Sequence, residues 1–161
     1  MSHFNSRHIL AHWLSNLEGS VVSEVIGGRS TGSILSISLL KDEVETTATH
    51  LRTSLFIQNA AWRFSKDSVC FVNSNCLLDM DSVAKVSLNR LLTHTILSAT
   101  MLESPSPGDL SVRFTGNMQL DVFCQAADDW SLIRYQQDAA SLYTQAVGVG
   151  KGNHDSFIFE D

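Results

Sequence analysis

The sequence has few cysteines and no long apolar run. Its three cysteines, at positions 70, 76 and 124, form no CxxC pair. This odd, unpaired set predicts reduced, buried thiols that act as small apolar side chains, rather than a disulfide framework or a zinc site. No apolar run approaches the roughly 20 residues that a membrane-spanning helix needs, and the N-terminus lacks the regions of a secretory signal. We therefore expect a cytoplasmic protein that does not enter a membrane.

Positive charge is also scarce. The chain carries 11 Lys and Arg against 17 Asp and Glu, for a net charge of −6. Residues 81–161 hold ten acidic and five basic side chains, so most of the excess lies in the C-terminal half. Nucleic-acid binding needs a positive surface that displaces counterions, and we expect none here. An acidic half would instead attract a basic protein partner.

Common catalytic and cofactor-binding motifs are missing. His8 and His12 have ligand spacing on a helix but lack a third ligand, so we expect no metal site. The glycine-rich segment 148–153 lacks the Ser or Thr that follows the lysine of a phosphate-binding loop. Asp128 and Asp129 are adjacent, and on a strand they would point to opposite faces rather than share a proton. We expect neither an enzyme nor a cofactor.

The apolar pattern predicts one clear helix, a second helical segment and many short strands. Residues 6–18 place apolar side chains at helical spacing, and Gly19 ends that helix. Residues 79–92 or 81–92 predict the second helix. Gly-, Pro- or Asn-rich turns are predicted at 65–68, 104–108 and 115–117. The predicted extended segments are 21–26, 34–40, 55–57, 61–64, 69–72, 93–100, 110–114, 118–124, 130–135, 139–144 and 157–159.

Two stretches, 14–71 and 88–143, have similar patterns. Leu35 corresponds to Leu110 at an offset of 75 positions (35 to 110), and Trp62 corresponds to Trp130 at an offset of 68 (62 to 130). Chance similarity of two β-rich segments is the alternative. The sequence thus predicts an α+β fold in one domain, residues 1–161. This domain contains two pseudo-repeated units, about 6–76 and 80–144, each a helix followed by a small antiparallel sheet, with a tail at 145–161.

The second stretch resembles a pattern found in small bacterial immunity-like proteins. The matching segments are 110–114, 116–117, 120–122 and 129–132, in which an acidic residue and a tryptophan open the last strand. The resemblance implies an intracellular antidote that binds and neutralises a cognate toxin domain, including toxins of contact-dependent growth inhibition. It implies stoichiometric binding without turnover. The partner would then be a basic toxin domain, such as a nuclease.

The residues that differ in charge between the two stretches are the predicted contacts. Four carboxylates and two aromatic anchors form this predicted partner-binding set: Asp121, Asp128, Asp129, Asp138, Trp130 and Tyr135. A simpler interpretation of the tryptophan is that it is a core residue equivalent to Trp62. Two other functions stay open, namely a small-molecule-binding or enzymatic protein with a pocket between the sheets, and a homodimeric assembly protein. The chain alone would be a monomer or a homodimer.

Overall fold

Helix α1 opens the fold and follows the predicted apolar stripe. The computed structural model describes residues 3–28, 32–41, 52–58, 60–75, 86–102, 109–124, 130–137, 142–149 and 156–160. Helix α1 spans His3–Ser15, so it begins three residues earlier than predicted. Leu10, Trp13 and Leu14 are buried on one side of it. The turn after the helix ends at Gly19, whose φ of +83° is the left-handed conformation that stops helices.

Strands dominate the described residues. The strands are β1 (Val21–Gly28), β2 (Gly32–Leu40), β3 (Arg52–Ile57), β4 (Ala61–Lys66), β5 (Val69–Asn73), β6 (Ile96–Met101), β7 (Leu110–Phe114), β8 (Met118–Phe123), β9 (Trp130–Gln137), β10 (Leu142–Val149) and β11 (Ser156–Glu160). Strand β11 pairs with β10 and confirms the predicted final strand. Alternating apolar residues with bounding turns located most of these strands because that pattern is local.

The strands form two antiparallel sheets. Sheet A has six strands in the order β1-β2-β3-β9-β10-β11, and sheet B has five in the order β5-β4-β8-β7-β6. The start of β1 also meets the segment just before β6, through a bridge between Val21 and Thr95. The Val22 N–H donates to the His94 carbonyl there at 2.9 Å. Further backbone hydrogen bonds between residues 19–22 and 93–96 join the edge of sheet A to the edge of sheet B.

The predicted α+β fold class is wrong. The prediction required each half of the chain to form a helix and its own sheet. Instead, the first half contributes β1–β3 to sheet A and β4–β5 to sheet B, while the second half contributes β6–β8 to sheet B and β9–β11 to sheet A. The protein is mostly β, because α1 is accompanied in the described residues only by a short helical turn at 86–91. The predicted helix ends one residue early, since Leu92 is in a turn, and its predicted first part, up to residue 85, lies outside the described residues.

Corresponding strands of the two sheets nevertheless pair in equivalent registers. Leu35 pairs with Ile57 in sheet A, as Leu110 pairs with Val122 in sheet B. The tryptophans continue the same rows, since Trp130 pairs with Ile57 and Trp62 with Val122. Both sheets also shift register near the start of an edge strand, between Val22 and Glu24 in β1 and between Ile96 and Ser98 in β6. The two offsets in the sequence therefore relate equivalent positions of two sheets, each of which contains strands from both halves of the chain. They do not relate two separate units.

One apolar core joins the helix and both sheets. Buried side chains from α1, from strands of sheet A and from strands of sheet B belong to a single cluster. Burial alternates along β4, β7 and β8, as in β7, where Leu110, Val112 and Phe114 are buried and Arg113 is exposed. Every second residue of these three strands therefore faces away from the core. No helix in the described part of the chain is long and apolar enough to cross a membrane.

Substitution of Gly116 is expected to destabilise the protein more than substitution of Gly19. Both have positive φ, +72° and +83°, but a Cβ at Gly116 would lie 2.9 Å from the His94 ring, and a Cβ at Gly19 would meet nothing within 4 Å. Gly116→Ala should lower the free energy of unfolding by about 2–3 kcal/mol, and Gly19→Ala by about 1 kcal/mol. Urea denaturation of both variants measures the difference. Equal losses would show that the imidazole moves aside without cost.

Candidate functional site

The side of sheet B that faces away from the core carries a group of polar side chains. We call this surface the outer face of sheet B, and it comprises Arg63, Ser65, Ser111, Arg113, Gln119, Asp121 and Phe123, which alternate with buried residues in β4, β7 and β8. The strand register sets two rows across the sheet. Arg63 and Ser111 flank Asp121, while Ser65 and Arg113 flank Gln119. Directly opposite side chains on an antiparallel sheet lie close enough to bond.

Asp121 is the centre of the first row. Its Oδ2 accepts a hydrogen bond from Arg63 Nε at 3.0 Å. Its Oδ1 accepts one from Gln119 Nε2 at 2.7 Å and one from Ser111 Oγ at 3.2 Å. The Asp121 side chain is only 14% exposed, whereas that of Arg63 is 51% exposed. The carboxylate is thus satisfied within the sheet and holds Arg63 in a defined position.

Arg63 also lies over an exposed aromatic ring. Its guanidinium carbon is 5.1 Å from the centroid of Phe123, which is close enough for a cation–π interaction. Phe123 is 38% exposed at the end of β8. The carboxylate on one side and the ring on the other restrict the guanidinium while leaving half of the side chain in contact with solvent. An ordered, exposed arginine beside an aromatic ring is well suited to contact another molecule.

A groove of about 530 Å³ crosses the same face toward the turns of the hairpins. Its lining includes Arg63, Asp121 and Gln119 from the network, together with Leu97 and Arg113. Asp67 and Asn117 are at its end, where Asn117 Nδ2 donates to Asp67 Oδ1 at 2.9 Å. Among the described residues, no carboxylate pairs with Arg113, although Asp121 and Asp67 line the same groove. Arg113 therefore differs from Arg63, whose charge has a counter-ion.

Cys70 is exposed, which corrects its prediction as a buried thiol. The cause is an irregularity in the pairing of β4 with β5. Phe64 pairs with Val72 but Ser65 pairs with Cys70, so Phe71 is an extra residue in β5. Because of this extra residue, Cys70, which precedes it, lies opposite Ser65 on the outward side of the sheet. Cys124 is half-buried, and Cys76 lies outside the described residues.

The predicted contact residues have different surroundings. Asp121 lies on the outer face of sheet B, paired as described. Trp130 is 2% exposed and belongs to the core, so its side chain is not on the surface, in agreement with the simpler interpretation. Tyr135 lies in β9 with its backbone opposite Arg52, and its side-chain surroundings are not described. Asp128, Asp129 and Asp138 lie outside the described residues, and their role stays a prediction.

Arg63, Arg113 and Gln119 were not among the predicted contact residues. A local signal was present, since each is a polar residue between two apolar ones in an alternating strand. That signal locates a residue on an outward face but not its neighbours on other strands, which depend on register. The acidic excess of the C-terminal half directed the prediction to carboxylates instead.

In the described part of the chain, no group of three or more His, Cys, Asp or Glu side chains is able to hold a metal ion. His12, of the pair at helical spacing, interacts through Nε2 with the Asn16 side chain at 3.1 Å. The outer face of sheet B, with its groove, is therefore the candidate site. Comparison with known protein families, with curated proteins and with solved structures gives no match for this chain.

Proposed function

We propose that this protein is an immunity protein, which binds a cognate bacterial toxin domain in the cytoplasm and neutralises it by forming a stoichiometric complex. The outer face of sheet B is the proposed contact surface. The observation that carries the proposal is Arg63, held between Asp121 and the exposed ring of Phe123. Arginine and aromatic residues dominate the binding energy of many protein interfaces.

The surface meets two physical requirements of such an interface. Its side chains project from paired strands of one sheet, so little backbone freedom is lost when a partner binds. The Asp121 network holds Arg63 in place before binding, and this reduces the entropy lost by a long side chain on complex formation. A specific complex would bury about 1,200–2,000 Å² in total. This area exceeds the immediate surroundings of Arg63 and Phe123, so further residues would contribute.

The net charge supports a basic partner. At −6 the chain attracts a positively charged domain over distances longer than any contact. The predicted contacts Asp128, Asp129 and Asp138 would add to this attraction near the complex. A nuclease toxin fits this description because its active site holds phosphate groups and is therefore basic. Association should then slow as salt concentration rises.

Phe123→Ala tests the contact surface. The toxin domain to be used is the C-terminal domain of a large secreted protein encoded beside this chain's gene. We expect the wild-type chain to form a 1:1 complex with it, and Phe123→Ala to weaken the affinity at least about tenfold, since truncated anchors cost roughly 1–2 kcal/mol or more. Titration calorimetry measures both affinities, and survival of cells expressing the toxin reports neutralisation.

Leu40→Ala is the matched control for that experiment. Leu40 is an apolar residue of similar exposure, 41%, but it lies in sheet A, and its truncation should leave the affinity within about twofold. Thermal unfolding must show that both variants are folded. A toxin domain that neither binds the wild-type chain nor is neutralised by it contradicts the proposal. A stable homodimer in light scattering, with no complex, would favour the assembly alternative.

A further inference from the structure

Arg113 is the cation of the groove that has no anionic partner among the described residues. Asp121 is bonded to Arg63, Gln119 and Ser111, and Asp67 accepts a bond from Asn117. Arg113 is exposed and lies opposite Gln119 on β8 and opposite Ser98 on β6. A guanidinium presents several N–H donors in a planar fork that matches the two oxygens of a carboxylate. The Arg113 guanidinium can therefore bind one anion in the groove.

An apolar side chain lies next to this position. Leu97 is the extra residue of the β6 irregularity, between the pairs Ile96–Phe114 and Ser98–Arg113. It lines the groove and is 48% exposed. A bulge often redirects a side chain that regular pairing would place elsewhere. Leu97 and Arg113, on neighbouring strands, thus provide one apolar and one cationic contact for a bound molecule.

The setting favours a protein segment over a small molecule. Small-molecule sites are usually enclosed and mostly apolar, whereas this groove lies along an exposed sheet face and is lined mainly by polar side chains. Arg63 lines the groove and lies over the ring of Phe123, so one partner surface would cover all of these residues. A partner side chain that reaches into the groove would gain a contact already surrounded by the rest of an interface.

We infer that the groove receives a carboxylate side chain of the partner protein, bound by Arg113, with an adjacent apolar side chain of the partner packed on Leu97. This inference rests on the proposed function, and it adds the chemistry that the partner presents. A basic partner is compatible with it. The net charge acts on approach, but it is screened beyond about 8 Å at physiological salt, whereas the contact with Arg113 acts at hydrogen-bond distance. The groove would fix the orientation of the complex.

Nuclear magnetic resonance can test the site without knowledge of the partner. The probe is a blocked tetrapeptide of sequence glycine-leucine-glutamate-glycine, titrated into the ¹⁵N-labelled full chain while the Nε–Hε resonance of Arg113 is followed. We expect a saturable shift of that resonance. The same peptide with glutamine for glutamate should bind at least about tenfold more weakly, because a charge-assisted hydrogen bond is lost. Acetate alone should bind more weakly than the peptide, since it cannot contact Leu97.

Arg113→Gln and Leu97→Ala test the two contacts, and Arg90→Gln is the matched control. Arg90 is also exposed but lies outside the groove, over the ring of Phe71. Arg113→Gln should reduce peptide affinity at least about tenfold and Leu97→Ala several-fold, while Arg90→Gln leaves it unchanged. No saturable shift for the glutamate peptide, equal affinity of the two peptides, or equal affinity of acetate and peptide would overturn the inference.

The toxin domain separates this inference from the proposed function. If it binds the wild-type chain and Arg113→Gln with equal affinity, the inference is wrong and the proposed function stands. If it does not bind the wild-type chain although the peptide binds at Arg113, the proposed toxin is wrong and the carboxylate site stands. At least about tenfold weaker toxin binding by Arg113→Gln, with Arg90→Gln unaffected, supports both.

Discussion

Separating the chain between residues 80 and 81 is expected to leave both pieces unfolded. In the piece 1–80, β3 lacks β9 and β4 lacks β8, so each sheet loses a central pairing. Each piece would expose two unpaired strand edges and about half of the shared core. Little net stability remains in a domain after the loss of so much burial. Far-ultraviolet circular dichroism and amide chemical-shift dispersion of each piece provide the measurement.

Mixing the two pieces supplies the control. If cross-half pairing determines the fold, the mixture should recover the spectrum of the intact chain, in a concentration-dependent manner because assembly becomes bimolecular. The predicted architecture, in which each half has its own sheet, leads to the opposite result. A cooperative unfolding transition in either piece alone would contradict the topology of the two sheets.

Trp130→Ala is expected to lower the free energy of unfolding by about 3–5 kcal/mol, the usual cost of removing a large buried aromatic side chain. Trp130 is 2% exposed and lies opposite Ile57 in β3. It therefore packs at the junction of strands from the two halves, where neighbours cannot close the cavity without moving a sheet. Urea denaturation followed by circular dichroism measures the loss. Trp130→Phe, which keeps an aromatic ring, should lose less.

The same variant decides between two interpretations of this tryptophan. A surface anchor would leave stability almost unchanged and weaken partner binding. If Trp130 is a core residue, its truncation would lower the free energy of unfolding and would weaken partner binding only as far as the chain unfolds. Phe123→Ala is the useful comparison because its ring is exposed and its loss should change stability by less than about 1 kcal/mol. A Trp130→Ala chain of wild-type stability would show that the core placement is wrong.

Much of the local structure was accessible from the sequence. Strand β7 alternates apolar and polar residues, and the hairpin after β4 turns at Asp67 and Ser68, both with positive φ. These features depend on residues that are near one another in the chain, so pattern and turn chemistry are sufficient. The equivalence of Leu35 with Leu110 was also visible, and it corresponds to equal positions in the two sheets.

The candidate site was less accessible. Asp121 was predicted as a contact, but its bonds to Arg63 and Gln119 place it as the support of an arginine rather than as an exposed acid. Arg63 is 58 positions away along the chain from Asp121. Net charge does not indicate which carboxylates are neutralised by an arginine on a neighbouring strand.

Local sequence patterns were sufficient to locate most of the strands approximately, and the composition showed that the chain is acidic. The three-dimensional arrangement decided that β3 pairs with β9 and β4 with β8, and therefore that neither half forms a unit. It also decided that Arg63 has a counter-ion and that Arg113 lies in a groove beside Leu97. The physical reason is that alternation specifies the two faces of a strand but not its neighbours. Those neighbours are selected by the burial of both halves in a single core.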